Sequence, residues 1–227
     1  MDKYVFLLQT QHLIFEASIM RYKIHYLYVL FFIICTFQNT NAQKKPNIVL
    51  IVADDLGYSD ISCFGGEIQT PQIDKLAENG ARFNKFYVSP MCVTSRVAIL
   101  SGMEYVAAGR NNFPKGVSIA HLLRKQGYAT SLVGKNHGMP KLKIGNPETD
   151  FGFNHFYGFI GGQINSFTGQ GNVKWQNDGK IFPNTQLPKD FYATNNFTDY
   201  AIQYMKEAIN DDKPFFSFVA YNAPHSP

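Results

Sequence analysis

The feature that most constrains the fold is the segment 47–53 (NIVLIVA), a nearly continuous apolar run rich in β-branched residues. Runs of this kind are typical of a parallel strand covered by helices on both faces, because a half-exposed strand alternates apolar and polar residues. The run stops at Asp54-Asp55-Leu56-Gly57, which is typical of a turn. The segment therefore predicts a central parallel strand followed by a turn with two adjacent carboxylates.

The rest of the chain alternates segments of helical periodicity with short apolar runs. Helices are predicted at residues 72–79, 93–101, 118–126 and 198–209, and further strands at residues 81–88, 129–134 and 215–221. Residues 151–168 are rich in glycine and aromatic side chains without a clear period, which predicts a loop with short elements. Strands that alternate with helices form right-handed crossovers. The sequence therefore predicts an α/β fold with a doubly wound, mostly parallel sheet.

The N-terminal segment has the pattern of an export signal. Arg21 and Lys23 precede an apolar run of 12 residues at 26–37, and small residues follow up to Ala42. The run is shorter than the about 20 residues of a membrane span, so we expect no stable span. We predict cleavage after Ala42 and export to the periplasm or the cell exterior. A start at Met20 would make the preceding residues an upstream extension, and an uncleaved N-terminal anchor is the alternative interpretation.

Composition and charge argue against several classes of protein. The net charge of +4 is spread along the 227 residues without basic runs, so nucleic acid is not an expected partner. The three cysteines, Cys35, Cys63 and Cys92, have spacings unlike CxxC pairs. We therefore expect neither a disulfide scaffold nor a cysteine-based zinc site.

The candidate functional residues follow the predicted strands, where ligands bind in doubly wound sheets. Asp54 and Asp55 follow the first strand, and His225 follows the last strand and lies between prolines. Adjacent carboxylates repel each other and are best tolerated when a hard cation such as calcium or magnesium binds both. A solvated turn in which one aspartate caps a helix is the alternative for this pair.

A second group of candidates surrounds the predicted helix at residues 93–101. Cys92 lies at its start, where the positive helix end favours anionic groups, and Arg96 lies one turn later. Cys92 would act as a nucleophile and Arg96 would hold an anion, although a buried cysteine and a surface ion pair are an equally open interpretation.

Lys135 and His137 alternate in an extended segment and therefore project to the same side. Together they could bind an oxyanion and transfer a proton, and two exposed loop residues are the alternative. Phosphoryl or sulfuryl transfer would suit this combination of groups. It joins carboxylates that bind a cation, a nucleophile at a helix start and cationic groups that bind an anion.

Five segments, in the same order, make the sequence similar to the type I sulfatases, the arylsulfatase A-like branch of the alkaline phosphatase superfamily. They are residues 47–57 (NIVLIVADDLG), 92–102 (CVTSRVAILSG, against the signature C-x-P-S-R followed by T-G), 134–137 (GKNH), 152–158 (GFNHFYG) and 213–227 (KPFFSFVAYNAPHSP). The resemblance implies an alkaline phosphatase-like fold and part of a sulfatase catalytic domain at residues 43–227, which follows the signal peptide predicted above at residues 1–42.

The resemblance also implies a sulfuric ester hydrolase that acts on a sulfated carbohydrate or an aryl sulfate. Cys92 would be oxidised to formylglycine by a formylglycine-generating enzyme or an anaerobic sulfatase-maturating enzyme. One hydroxyl of the hydrated aldehyde would attack sulfur, and the other would later expel sulfate. The matching positions imply that Asp54, Asp55 and residue 92 bind calcium. Arg96 would hold the formylglycine, and Lys135 and His137 would bind oxygens of the hydrated aldehyde and of the sulfate. His225 would bind sulfate and assist the leaving alcohol.

The sequence departs from the family pattern at three places. Thr94 replaces the signature proline, which the formylglycine-generating enzyme recognises, so Thr94 bears on how efficiently Cys92 is modified. Ser101 replaces a threonine but keeps the hydroxyl. Gly161-Gly162 stands in the region of the family's sulfate-binding serine.

Family members continue beyond the point matching Pro227 and supply further metal ligands and a lysine there. Calcium takes about six to eight oxygens, more than Asp54 and Asp55 offer. We therefore expect an N-terminal fragment, truncated before the C-terminal part of the core, that is inactive or unstable by itself. Two other functions stay open: a phosphatase or phosphonate monoester hydrolase of the same superfamily, and a non-catalytic sulfated-glycan binding protein in which Thr94 has abolished the modification.

Overall fold

The computed structural model describes residues 20–30, 44–108, 118–146 and 149–226. The chain divides into two units, Met1–Lys44 and Lys45–Pro227. In the first unit, residues 20–30 are helical and exposed. Among the described residues, no helix has both the length and the apolar character needed to cross a membrane. The predicted cleavage site after Ala42 lies outside the described residues.

The second unit contains a six-stranded sheet and helices that pack on it. Its strands are β1 (Ile48–Asp54), β2 (Ala129–Asn136), β3 (His155–Ile160), β4 (Lys174–Asn177), β5 (Lys180–Phe182) and β6 (Phe215–Pro224). Its helices are α1 (Pro71–Glu78), α2 (Cys92–Ser101), α3 (Ile119–Lys125) and α4 (Ala193–Asn210), with 3-10 turns at Tyr58–Asp60, Ser62–Phe64 and Asn184–Gln186.

The strand order is β1-β6-β2-β3-β4-β5. β1, β6, β2 and β3 run parallel to one another, and the hairpin of β4 and β5 is added with β4 antiparallel to β3. The last of the described strands thus lies between the first two. This arrangement confirms the predicted α/β fold with a mostly parallel sheet.

Helices cover both faces of the sheet, as expected for a doubly wound fold. Neighbouring residues of β2 point to opposite faces: Leu132 packs in one core cluster and Val133 in the other. Val97 of α2 belongs to the Leu132 cluster, and Phe197 of α4 belongs to the Val133 cluster. β6 and β2 are buried on both faces. The prediction of a central strand covered on both faces at residues 47–53 is wrong for the described sheet, because β1 lies at its edge, with Val49 47% and Ile51 56% exposed.

The strand predicted at residues 81–88 is wrong, because this segment is irregular in the structure. Its side chains Phe83, Phe86 and Tyr87 are 72%, 72% and 88% exposed. A strand is stable only when a neighbouring strand completes its backbone hydrogen bonds, and none of the described strands pairs with this segment. Its β propensity alone therefore does not make it a strand.

Residues 151–168, predicted as a loop with short elements, contain β3, and the β4–β5 hairpin, for which the sequence analysis made no prediction, follows at residues 174–182. The hairpin turns at Asp178 and Gly179, whose φ angles are 43° and 85°. Two consecutive positive φ angles define a type I′ turn, for which Asp-Gly is a preferred sequence. This dipeptide is the signal that could have predicted the hairpin.

Candidate active site

A buried cluster of one carboxylate and two cations lies at the end of β1. Asp54 is 4% exposed, Arg96 3% and Lys135 1%. Nζ of Lys135 forms an ion pair with Oδ2 of Asp54, and Nη2 of Arg96 lies 3.4 Å from Oδ1. Since a buried charge is costly without a partner, the three side chains compensate one another in the interior.

Gly134 allows β2 to place Lys135 in this cluster. Its φ is +100°, and an added Cβ would lie 2.2 Å from the carbonyl oxygen of Ala220 on the neighbouring strand β6. Any other residue would push the two strands apart. The glycine before Lys135 is therefore required by the close approach of β2 and β6.

Arg96 retains hydrogen-bonding capacity. Its Nη1 donates to the carbonyl of Lys135 at 3.2 Å, whereas Nε and Nη2 have no hydrogen-bond partner within the described part of the chain. Burial lowers the pKa of Arg96, and the carboxylate of Asp54 opposes that effect. Unsatisfied buried donors cost about 1–3 kcal/mol each, so a further acceptor beside this guanidinium would be stabilised.

Cys92 is the first residue of α2 and is half-buried, with its Sγ 3.1 Å from Nδ1 of His137. The first N–H groups of a helix lack partners within the helix and favour negative charge nearby. The hydroxyls of Thr94 and Ser95 donate to the carbonyls of Met91 (2.7 Å) and Ser89 (2.8 Å) and so fix the chain where it enters the helix. Cys92 is thus held at a site suited to a developing anion.

His137 follows β2 and forms the other side of the space next to Cys92. Burial lowers the pKa of His137, and the nearby positive charges of Lys135 and Arg96 lower it further. The imidazole is therefore neutral at neutral pH and can accept or donate a hydrogen bond. Gly162, just after β3, lies against this ring, since an added Cβ would be 3.5 Å from its Cε1.

Asp55 and His225 complete the group. Asp55 has a left-handed backbone, with φ of 64°, and its Oδ2 lies 3.5 Å from Nε2 of His225. Nδ1 of His225 donates to the carbonyl of Ser226 at 2.6 Å, which leaves Nε2 directed at the carboxylate. The structure thus brings all seven candidate residues to the carboxyl ends of β1, β2 and β6 and the start of α2.

The carboxylates of Asp54 and Asp55 are the kind of oxygen ligand that calcium prefers. In the structure, however, Asp54 faces two cations and Asp55 faces His225. Within the described ranges, no group of three or more His, Cys, Asp or Glu side chains is arranged to hold a metal ion. The pair fits calcium in its chemistry and would supply only part of the about six to eight oxygens that the ion needs.

Asn222 is a positioning residue that the sequence analysis missed. It is 1% exposed, its Nδ2 donates to the carbonyl of Ile164 at 3.1 Å, and its Oδ1 accepts from the N–H of Ile164 at 3.3 Å. It thereby ties the loop after β3 to the strand that leads to His225. The sequence feature that could have identified Asn222 is a polar residue near the end of a mostly apolar strand.

The fold and the clustered residues define an α/β protein with a group of charged and polar side chains at the carboxyl edge of its sheet. Residues 46–227 match the sequence profile of the Sulfatase family. The chain belongs to the sulfatase family.

Two characterised relatives show how much of such a protein the chain covers. It is 33% identical to an arylsulfatase of Klebsiella aerogenes over 210 residues, which are 82% of this chain and 44% of the relative. It is also 33% identical to human arylsulfatase A over 218 residues, which are 81% of this chain and 42% of the relative. The chain therefore spans less than half the length of these relatives.

Solved structures agree with this assignment. The crystal structure of Ps i-CgsB superposes with a TM-score of 0.68 at 35% identity, covering 81% of this chain and 46% of that one. A protein solved in complex with its substrate D-glucosamine-2-N,6-O-disulfate superposes with a TM-score of 0.65 at 31% identity, covering 80% and 35% of the two chains.

Proposed function

We propose that this site hydrolyses sulfate esters and that residue 92, once converted to formylglycine, is the nucleophile. The observation that carries the proposal is the position of Cys92: it begins α2, its Sγ lies 3.1 Å from His137, and Arg96 lies one turn later in the same helix. A nucleophile beside a neutral imidazole and buried cations suits attack on an anionic ester. Membership of the sulfatase family supports the same reaction.

Formylglycine at position 92 would supply a hydrated aldehyde, whose hydroxyls serve as nucleophile and later as the group that releases sulfate. The remaining roles belong to side chains in the structure. Arg96, whose Nε has no hydrogen-bond partner among the described residues, would hold the oxygens at residue 92, and Lys135 would offset the charge of the sulfate. His137, neutral at neutral pH, would accept a proton at the imidazole nitrogen that faces residue 92.

His225 would act on the leaving group. Its Nε2 lies 3.5 Å from Oδ2 of Asp55, and a proton carried on this nitrogen could be donated to the departing oxygen. Asp54, Asp55 and residue 92 would contribute ligands to a calcium ion, which would neutralise charge on the sulfate oxygens. Lys135 would have to move away from Oδ2 of Asp54 for that oxygen to bind the ion.

Sulfated carbohydrates and aryl sulfates are both proposed substrates. Solved relatives include Ps i-CgsB in complex with k-i-k-neocarrahexaose and the glucosamine disulfate complex, and both ligands are carbohydrates. We also propose that the protein is exported, on the basis of the signal-like residues 1–42. N-terminal sequencing of the exported product should begin at residue 43, and an intact first segment would contradict this proposal.

The test of the function uses the protein expressed from the complete reading frame that contains this sequence, together with a maturating enzyme. Mass spectrometry of the peptide with residue 92 should show formylglycine, and the protein should hydrolyse p-nitrophenyl sulfate. Cys92→Ala should lose both properties, while Cys63→Ala, the matched cysteine control, should keep them.

Three results would contradict the proposal. A converted residue 92 without hydrolysis of any sulfate ester would exclude the reaction. Faster hydrolysis of p-nitrophenyl phosphate than of the sulfate would indicate a phosphatase. Binding of sulfated glycans by a protein whose Cys92 stays a thiol, beside a control sulfatase that is converted, would indicate a binding protein.

A further inference from the structure

Asn136, the last residue of β2, lies between Lys135 and His137 in the chain and is 2% exposed. Its side-chain Nδ2 donates to the carbonyl of Met139 at 2.9 Å, and its Oδ1 accepts from the N–H of Met139 at 3.2 Å. The amide offers a donor and an acceptor, and here both are used by the backbone of one residue. The side chain of Asn136 therefore closes residues 136–139 into a turn, and this turn carries His137.

This turn is fixed to two neighbouring parts of the structure. The carbonyl of Asn136 accepts from the N–H of Gly161, in the loop after β3, at 3.1 Å. Met139 is 2% exposed and packs in the same core cluster as Val97 of α2. Gly138 also lies against α2, because an added Cβ would be 3.0 Å from Cγ2 of Val97. The backbone that carries the imidazole is thus held on both sides of it.

The side chain of His137 depends on this backbone for its position. Its Nδ1 lies 3.1 Å from Sγ of Cys92, and within the described ranges no hydrogen bond to its Nε2 is found. A histidine that transfers protons is commonly oriented by a group on its second ring nitrogen. Because the described residues supply no such group, the turn closed by Asn136 determines where the ring lies.

Other side chains of similar size would not close this turn as well. Leucine would leave the N–H and the carbonyl of Met139 without a partner in a buried place, which is costly. Aspartate would keep an acceptor for the N–H and would lose the donor to the carbonyl. The turn therefore requires an amide, and asparagine supplies it at the observed distance.

We propose that Asn136 is a positioning residue of the active site, which holds His137 beside residue 92 through the turn at residues 136–139. Asn136 itself touches neither the nucleophile nor the ester, since its amide is engaged with Met139. The inference rests on the proposed function for the reaction that His137 serves. The contact between His137 and Cys92, however, is already present in the thiol form of the protein.

The test compares Asn136→Leu with Thr130→Val in the converted protein expressed from the complete reading frame. Thr130 lies at the other end of β2, is 1% exposed, and its hydroxyl donates to the carbonyl of Gly152 at 2.6 Å. Both substitutions remove buried hydrogen bonds from the same strand, so both should lower Tm by about 5 °C.

The two variants should differ in turnover of p-nitrophenyl sulfate. In Asn136→Leu, kcat should fall about tenfold or more, because a small displacement of a catalytic group is enough to slow the reaction. KM should change less than about threefold, as expected when a contact of the transition state is lost. Thr130→Val should keep kcat at the wild-type value.

Asn136→Ser is the conservative variant, and it decides the question if the leucine variant does not fold. A serine hydroxyl can still accept from a backbone N–H in such a turn, although more weakly than an asparagine side chain. In Asn136→Ser, kcat should therefore lie between the values of the wild type and of Asn136→Leu.

A measurement without hydrolysis separates this inference from the proposed function. In the thiol protein with ring-labelled histidine, a nuclear Overhauser effect should connect the β-protons of Cys92 with the ring of His137, assigned by its loss in His137→Gln. The effect should disappear in Asn136→Leu, weaken in Asn136→Ser and persist in Thr130→Val. If the wild type hydrolyses no sulfate ester, the proposed function fails, and this pattern still decides the role of Asn136.

Three results would overturn the inference. An Overhauser effect that is missing from the wild type would contradict the contact itself. An effect of wild-type strength in the folded Asn136 variants would show that the turn does not hold the ring. An unchanged kcat in these variants, or equal losses of kcat in Asn136→Leu and Thr130→Val, would show that Asn136 contributes to stability alone.

Discussion

Lys135 and Asp54 form an ion pair whose side chains are 0% and 5% exposed, although they lie on strands that are not neighbours in the sheet. The aspartate also faces Arg96 at 3.4 Å, so one carboxylate compensates two buried cations. Loss of a partner from a buried pair leaves an uncompensated charge, which is more costly than loss of an exposed pair.

Asp54→Asn should therefore lower the free energy of unfolding by about 3 kcal/mol, because Lys135 and Arg96 would stay buried without a carboxylate. Urea denaturation measures the change. Asp211→Asn is the matched control, since the Lys213–Asp211 pair is exposed and worth at most about 1 kcal/mol. The double variant D54N/K135M should recover part of the loss, because it removes one of the two uncompensated cations, and equal effects of the two single aspartate variants would contradict the buried cluster.

Asp55→Ala should destabilise the protein by about 1 kcal/mol, because its φ of 64° is unfavourable for a residue with a Cβ and tolerated best by Gly, Asn and Asp. Asp55→Asn and Asp55→Gly should stay close to the wild type in thermal unfolding. If Asn destabilises as much as Ala, the carboxylate charge rather than the backbone conformation determines the effect.

His155, at the opposite end of the sheet from the candidate site, should make stability depend on pH. Its Nδ1 lies 2.9 Å from Oδ2 of Asp178, and this hydrogen bond raises the pKa of His155 above its ordinary value of 6.5. A raised folded-state pKa gives a stabilisation that is complete below pH 6.5 and is lost as the pH rises through the folded-state value.

The free energy of unfolding should thus fall by up to about 1 kcal/mol from mildly acidic to alkaline pH, a small effect because both side chains are more than one-third exposed. Chemical denaturation at a series of pH values measures it. Asp178→Asn should flatten this part of the profile, whereas Asp199→Asn on α4 should leave it unchanged. A wild-type profile that rises over the same range would show that the sign is wrong.

Thr94→Pro, which restores the sulfatase signature, should change stability by less than about 1 kcal/mol. Residue 94 lies in the first turn of α2, where N–H groups have no partner within the helix, so proline is tolerated. The fraction of residue 92 converted to formylglycine should rise, as measured by mass spectrometry. Ala98→Pro, one turn further into α2, should cost about 3 kcal/mol or more, and similar losses from both prolines would contradict the assigned helix start.

The parts of the fold that depend on local pattern could be predicted from the sequence. The apolar character of β1, β2 and β6 predicted strands, although the central position expected for β1 is wrong within the described sheet. Ser118 predicted the start of α3, where its hydroxyl accepts from the N–H of His121 at 3.0 Å. The carboxyl-end rule for doubly wound sheets then predicted that Asp54, His137 and His225 lie close together.

The parts that depend on partners could not be predicted in this way. Residues 81–88 have β propensity, yet pairing requires a neighbouring strand, and none of the described strands supplies it. The enclosure of Lys135 was equally hidden, because a lysine in a predicted strand end is usually solvated and only the tertiary structure places Asp54 and Arg96 beside it. The contact between Gly162 and His137 likewise joins two loops that sequence periodicity does not relate.

The position of β6 between β1 and β2 has a consequence for the order of events during synthesis. Asp54 emerges from the ribosome about eighty residues before Lys135, but the strand that lies between β1 and β2 is complete only at Pro224. Pairing over such sequence separations is slow, since the chain must close long loops before any contact stabilises them. Until then the carboxylate and its cations remain apart in water, so the charged centre can assemble only after nearly all of this sequence has been translated.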